Sequence, residues 1–158
     1  MTLLEFCRWI QYSAPLVELR SSPWAFPVIA TVHLMGLAVI GGAVLLVDLR
    51  LLGFGLQRQP AAHVVRDAEK WLLRGLAVTI PTGLLLFMCF ATKYYYLWFF
   101  WVKLAALVLV VAFTFSIRRR VAMADAGRTS PLERRVVALV SLSLWTTVAL
   151  GGRYIGFP

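Results

Sequence analysis

At 158 residues the chain has the length of one domain, but 61% of its residues are hydrophobic and only 15% charged, where a soluble globular chain carries about a quarter charged residues and about half apolar ones. With only two cysteines, Cys7 and Cys89, that balance excludes a soluble enzyme, a disordered tail and a disulfide-stapled secreted domain. The net charge of +9 does not point to nucleic acid, because the basic residues alternate with apolar runs instead of sharing one solvated face.

In chain order, residues 2–20 mix Leu3, Leu4, Phe6 and Ile10 with Glu5, Arg8 and Gln11 before reaching Pro15. Thr2 and Glu5 have capping-box spacing, so this segment reads as a short interfacial helix, too polar to span. It is not a signal peptide, since no basic start precedes an apolar stretch. Four spans follow, at 23–52, 60–92, 94–118 and 131–154. Their uncharged cores run from Ser21 to Val47, Gly75 to Thr92, Tyr94 to Ile117 (broken only by Lys103) and Val136 to Gly152. About 20 apolar residues cross a membrane and roughly 17 is the lower limit; the second and fourth runs therefore borrow Trp71 to Arg74 and Gly152 to Phe157. Gly36, Ala38, Gly41 and Gly42 make the first span thin, open to a neighbour or a ligand. Pro60 opens the second span, His63 to Arg74 extend it beyond the hydrocarbon, and Pro81 is expected to bend it or free a carbonyl. Ser130, Pro131 and Glu133 start the fourth. The expected fold is all-α, a four-helix transmembrane bundle with one N-terminal interfacial helix.

Eleven basic residues (Arg50, Arg58, Arg66, Lys70, Arg74, Arg118, Arg119, Arg120, Arg128, Arg134 and Arg135) flank one end of the spans, and four (Arg8, Arg20, Lys93 and Arg153) the other. The positive-inside rule then places both termini outside and both basic loops in the cytoplasm.

Two strongly polar side chains lie deep in apolar spans, His33 and Lys103. Ionisable groups at membrane depth are costly and mark functional sites. Counting 1.5 Å per residue from Trp24 and Tyr95 puts them about 13 Å and about 12 Å below the outer surface. That common level suggests one shared site. Neutral imidazole is a metal ligand and an axial ligand to haem iron. Gly36, one turn below His33, leaves room for a flat macrocycle, and Thr31 and Thr79 are candidate partners of the ring. Lys103 reads either as a snorkelling cation, as an axial amine, or as the counter-charge of a propionate. Arg153 reads as the partner of an acidic cofactor group or as an interface anchor. His63 is an exposed residue roughly 25 Å away by helix rise. Asp48, Arg50, Arg66, Asp67, Glu69 and Arg74 read as an interfacial charge network, and Met35, Met88 and Cys89 as packing.

The run Val32-His33-Leu34-Met35-Gly36, Gly41-Gly42, Asp48-Leu49-Arg50, then Thr82-Gly83-Leu84-Leu85 and Phe100-Trp101-Val102-Lys103-Leu104, resembles small four-helix bacterial inner-membrane proteins. More distantly it resembles the HemJ-type protoporphyrinogen oxidases and the CopD-like membrane domains. The HemJ resemblance implies a b-type haem at His33 and Lys103, with Arg50 in place of that family's first-helix arginine. Trp101 stands where that family has a histidine, so the resemblance bears on haem binding more than on the oxidase activity.

The expected function is a haem b protein of the bacterial inner membrane, with His33 as metal ligand and Lys103 and Arg153 around the cofactor. Electron transfer or a haem-linked oxidation would be its task, in contact with membrane lipids and with a redox partner subunit or a second copy. A cofactor-free structural subunit and a small transporter module stand as alternatives.

Overall fold

The computed structural model describes residues 2–55, 61–124 and 129–155. Pro60, Arg58, Arg128 and Phe157, invoked above, lie outside them. Among the described residues there are helices and no strand. In order they are α1 (Leu3–Gln11), α2 (Ala14–Ser21), α3 (Ala25–Leu52), α4 (Ala61–Cys89), α5 (Ala91–Tyr95), α6 (Trp98–Phe113), a π-helical turn (Thr114–Arg118), α7 (Arg119–Met123) and α8 (Pro131–Ile155). The third rod is continuous from Trp98 to Met123, so four helices are long and apolar enough to cross a membrane. The protein is an all-α four-helix bundle and a multi-pass membrane protein. Its surface fits that medium. Leu34, Met35, Val108 and Leu109 are each 59% exposed or more, on helices whose backbone groups are satisfied internally as lipid demands.

The N-terminal segment forms two helices where one was expected. The capping box holds α1 as read: Thr2 N–H donates to Glu5 Oε2 at 2.7 Å and Glu5 N–H to Thr2 Oγ1 at 3.3 Å. The break comes at Ser13, which is extended and caps a new helix with Pro15 in its first turn. A proline lacks the N–H that a continuing helix requires. Both pieces fasten onto the end of the bundle opposite the basic loops. Arg20 Nη1 donates to the Cys89 carbonyl at 3.2 Å, and Gln11 Oε1 accepts the Thr92 N–H at 2.8 Å. These side chains answer backbone groups left open where α4 ends and α5 begins.

The third span also starts later than expected. Residues 91–95 close into the separate turn α5, and α6 begins only at Trp98. Pro81 does not interrupt α4, which runs through it to Cys89. Gly53, at φ 91°, ends α3 in the left-handed region, where Phe54 N–H reaches the Leu49 carbonyl at 2.8 Å in the usual glycine stop.

α3 packs on α4, α6 packs on α8, and the two pairs join through α3 against α8. The α3–α4 contact is tight because of small residues. A Cβ on Gly75 would stand 2.6 Å from Ile40 Cγ1 and 3.2 Å from the Gly36 carbonyl, so the two backbones approach as in other small-residue crossings. The larger core cluster, with Ile40, Val44, Val47, Val65, Leu72 and Ala122, fills the half near the basic loops, where α7 packs on α4. Toward the other end α4 and α6 make no such close approach. Aromatic rings bridge them instead: Phe87 stacks on Phe100 at 5.0 Å and Tyr94 on Phe100 at 5.6 Å. Burial, with the neighbouring Cys89, pushes the Tyr94 phenol above its ordinary pKa, so the ring enters that stack neutral.

Candidate functional site

His33 faces α4. Its Nδ1 lies 3.0 Å from Thr82 Oγ1, whose hydroxyl donates to the Val78 carbonyl at 2.7 Å. A hydroxyl has one proton to give. With that proton on Val78, Thr82 accepts from His33, which assigns the proton to Nδ1 and leaves the Nε2 lone pair unprotonated. Among the described residues no side chain hydrogen-bonds Nε2. Metal-bound histidines show the same division of labour, one nitrogen donating to a fixed acceptor and the other ligating. Gly83 lets the ring lie close, since a Cβ there would stand 2.9 Å from Cε1.

Two expectations about this level need correction. Thr31 is not a partner of the ring: its hydroxyl returns to the Pro27 carbonyl at 2.8 Å. Thr79 turns its hydroxyl to the Gly75 carbonyl, and only its backbone oxygen reaches the imidazole. Gly36 does not keep room for a macrocycle either. A Cβ there would meet Thr79 Oγ1 and Val78 Cγ1 at 3.4 Å and the Gly75 carbonyl at 3.5 Å, so its missing side chain serves the α3–α4 crossing.

Lys103 approaches from the other helix pair. It crosses the Gly151–Gly152 step of α8, with its Cβ 3.1 Å from where a Gly151 Cβ would be and Nζ 3.3 Å from that of Gly152. Among the described residues no carboxylate or carbonyl holds its ammonium. By helix start Lys103 is about 7.5 Å deep and His33 about 12 Å, because α6 begins three residues later than expected. The two groups still fall within electrostatic reach of each other across the bundle. Trp145 of α8 packs against both core clusters, and among the described residues its buried indole Nε1 has no partner, although buried indole N–H groups usually find one. Arg153 stands exposed in the last turn of α8. His63 is exposed in the first turn of α4, about 29 Å of helix rise from Thr82, and takes no part in this level.

A second polar level sits in the half near the basic loops, where Asp48 belongs to a buried cluster inside the bundle and not to a solvated charge network. Asp48 is fully buried. Arg118 Nε donates to its Oδ1 at 2.6 Å, Ser141 Oγ to its Oδ2 at 2.7 Å, and Arg118 Nη2 to the Val44 carbonyl at 3.0 Å. Three spans are thereby joined by one carboxylate. Arg118, counted with the loop cations, is 4% exposed and points inward from the π-helical turn, a local widening often found at functional positions. Beside it a cavity of about 10 Å³ touches Thr114, Arg118 and Glu69, and among the described residues Thr114 Oγ1 has no partner. The other acids of the expected network pair outside it: Glu69, partly buried, with Arg119 at 2.8 Å and exposed Asp67 with Lys70 at 3.1 Å. Cys7 and Cys89 are buried free thiols.

Residues 26–158 match a protein family of unknown function, DUF6644. The chain belongs to the DUF6644 family. The match starts one residue inside α3 and takes in all four long helices of this DUF6644 member, with both polar levels; α1 and α2 precede it. No curated protein and no solved structure matches the chain.

Proposed function

We propose that this DUF6644 protein binds one b-type haem in the outer half of a bacterial inner membrane, with His33 as an axial ligand, for electron transfer or a haem-linked oxidation. The observation that carries the reading is the held His33 ring: its Nδ1 lies against Thr82 Oγ1, whose hydroxyl turns to the Val78 carbonyl, an arrangement that supports a proton on Nδ1 and a free lone pair on Nε2. A cluster of three metal-ligating side chains does not occur among the described residues, but a haem, which brings four nitrogens of its own, needs only one or two from the protein. The donors present suit such a guest. Among the described residues Lys103 has no carboxylate partner, which fits it to be the second ligand or the counter-charge of a propionate, and the buried Trp145 N–H has no acceptor. Arg153, at the outer end of α8, is the further candidate for an acidic group. When bound, haem supplies one-electron chemistry that side chains alone do not; the chain's part is to orient the imidazole, hold charge and exclude water. The same reading places both termini outside and lets a redox subunit or a second copy contact the bundle.

One observation favours a cofactor-free structural subunit as the second reading. His33 is already packed on Gly83 and bonded to Thr82, which also satisfies a histidine that merely joins two helices. The haem content of protein purified from haem-replete cells separates the two. We expect about one haem per chain by the pyridine haemochrome assay; a colourless, folded preparation leaves the structural reading.

A further inference from the structure

Hydroxyl groups on the spanning helices follow one habit. Thr31, Thr79, Thr82, Ser116, Ser143 and Thr147 each donate to the carbonyl four residues back, so that each is satisfied within its own helix. Thr114 departs from it. The residue is 2% exposed, and among the described residues its Oγ1 has no hydrogen-bond partner. It opens the π-helical turn that carries Arg118, where the backbone widens. Leaving a buried hydroxyl unpaired is costly, and an ordered water is the common remedy.

A place for that water lies beside it. The cavity of about 10 Å³ has Ala43 of α3 and Ala68 of α4 in its apolar wall and Glu69, Thr114, Arg118 and Arg119 as its polar residues. One water needs roughly 10–15 Å³ by this measure and two to four polar neighbours, so the space fits a single water and nothing larger. The neighbours have bonds left to make. Arg118 uses Nε on Asp48 and Nη2 on the Val44 carbonyl, and a guanidinium carries five N–H groups. Glu69 gives Oε1 to Arg119 at 2.8 Å and has a second oxygen. The cavity also has an outer end, because Glu69 and Arg119 are 19% and 50% exposed whereas Arg118 is buried.

We propose that this cavity holds one ordered water, which accepts from the Thr114 hydroxyl and from an Arg118 Nη group and donates to Glu69. Asp48 already joins Ser141 to Arg118, and Glu69 already joins Arg119. The water makes these two groups one hydrogen-bonded chain, from inside the bundle to the surface at the basic end. Protons of the Arg118 guanidinium then exchange with solvent while the Asp48 carboxylate stays covered. Ala43 and Ala68, each 5% exposed, keep the space open, and a larger side chain at either would close it. The site is independent of the haem reading.

The test is solid-state NMR of the full-length protein in lipid bilayers, with magnetisation started on water and read on the protein. In the wild type the Thr114 methyl signal should rise early. The signals of Thr79, whose hydroxyl is held by the Gly75 carbonyl, and of fully buried Val110, one turn from Thr114, should rise late. The Arg118 Nη signals should share the early rise. A Thr114 signal as slow as those of Thr79 and Val110 would mean a dry cavity and overturn the proposal. An early Thr114 with a late Arg118 would overturn the bridge. Ala68→Val and Ala43→Val fill the space from α4 and from α3, and whichever keeps the wild-type helical circular dichroism should lose the early rise at Thr114. Ala38→Val, on the exposed face of α3, should keep it. An early rise that survives the filling would show water reaching Thr114 by another route and overturn the site.

Discussion

Arg118 Nε and Asp48 Oδ1 meet at 2.6 Å where neither side chain is more than 5% exposed. Ser141 and the Val44 carbonyl complete the shell around them, so the charges are paired and hydrogen-bonded, the condition on which burial of charge depends. Removing one partner leaves the other charge uncompensated, at a cost of about 3–5 kcal/mol. Asp48→Leu and Arg118→Met alone should each lower unfolding stability in detergent by about that amount. The double substitution should recover much of the loss, because a well-packed apolar pair replaces an ion pair at little net cost. Additive losses would show that the two residues act separately.

Glycine positions in α3 and α4 divide into two kinds. Gly75→Ala drives a methyl group to 2.6 Å from Ile40 Cγ1, and overpacking of this kind costs about 1–3 kcal/mol. Gly41→Ala meets nothing within 4 Å and should keep or raise stability, since alanine is favoured over glycine in a helix by about 0.5–1 kcal/mol. Thermal unfolding of the two variants side by side measures the difference. Equal midpoints would mean that the α3–α4 crossing is looser than described.

Thr82→Val removes the acceptor that fixes the His33 tautomer. For a ligating histidine, loss of the group behind the ring weakens binding by about 10–100-fold. Haem transfer from the variant to an excess of a high-affinity haem acceptor should be faster than from wild type by a factor in that range. An unchanged rate would mean that Thr82 does not support a ligand.

Much of this architecture was legible in the sequence because lipid imposes a simple rule. Uncharged runs of sufficient length gave the four spans, and Thr2 with Glu5 gave the first cap. The boundaries that shifted were those decided locally, at Pro15, where one interfacial helix becomes two, and at residues 91–97, where α5 turns before α6 begins. His33 and Lys103 stood out as polar exceptions in apolar runs. Asp48 and Arg118 did not, since each ends such a run and reads as a headgroup-level charge. Only the packing of α3 against the third and fourth rods, with a π-helical turn aiming Arg118 inward, makes them a buried pair. Ser141 and Gly151–Gly152 carried no signal of their own, and Gly83 stood only as one position of a resembling run. Small residues become informative only when the neighbour that needs the space is known. Gly36 was misread for that reason: its vacancy is filled by Val78 and Thr79 of α4.

The most direct measurement is the reduced-minus-oxidised optical spectrum of the purified wild-type protein beside His33→Ala. The account predicts a sharp α band of a b-type haem in the wild type and its loss in the variant, with the variant's helical circular dichroism unchanged. A wild type without that band, or a variant that keeps it, would contradict the account: the first removes the haem, the second removes His33 as its ligand.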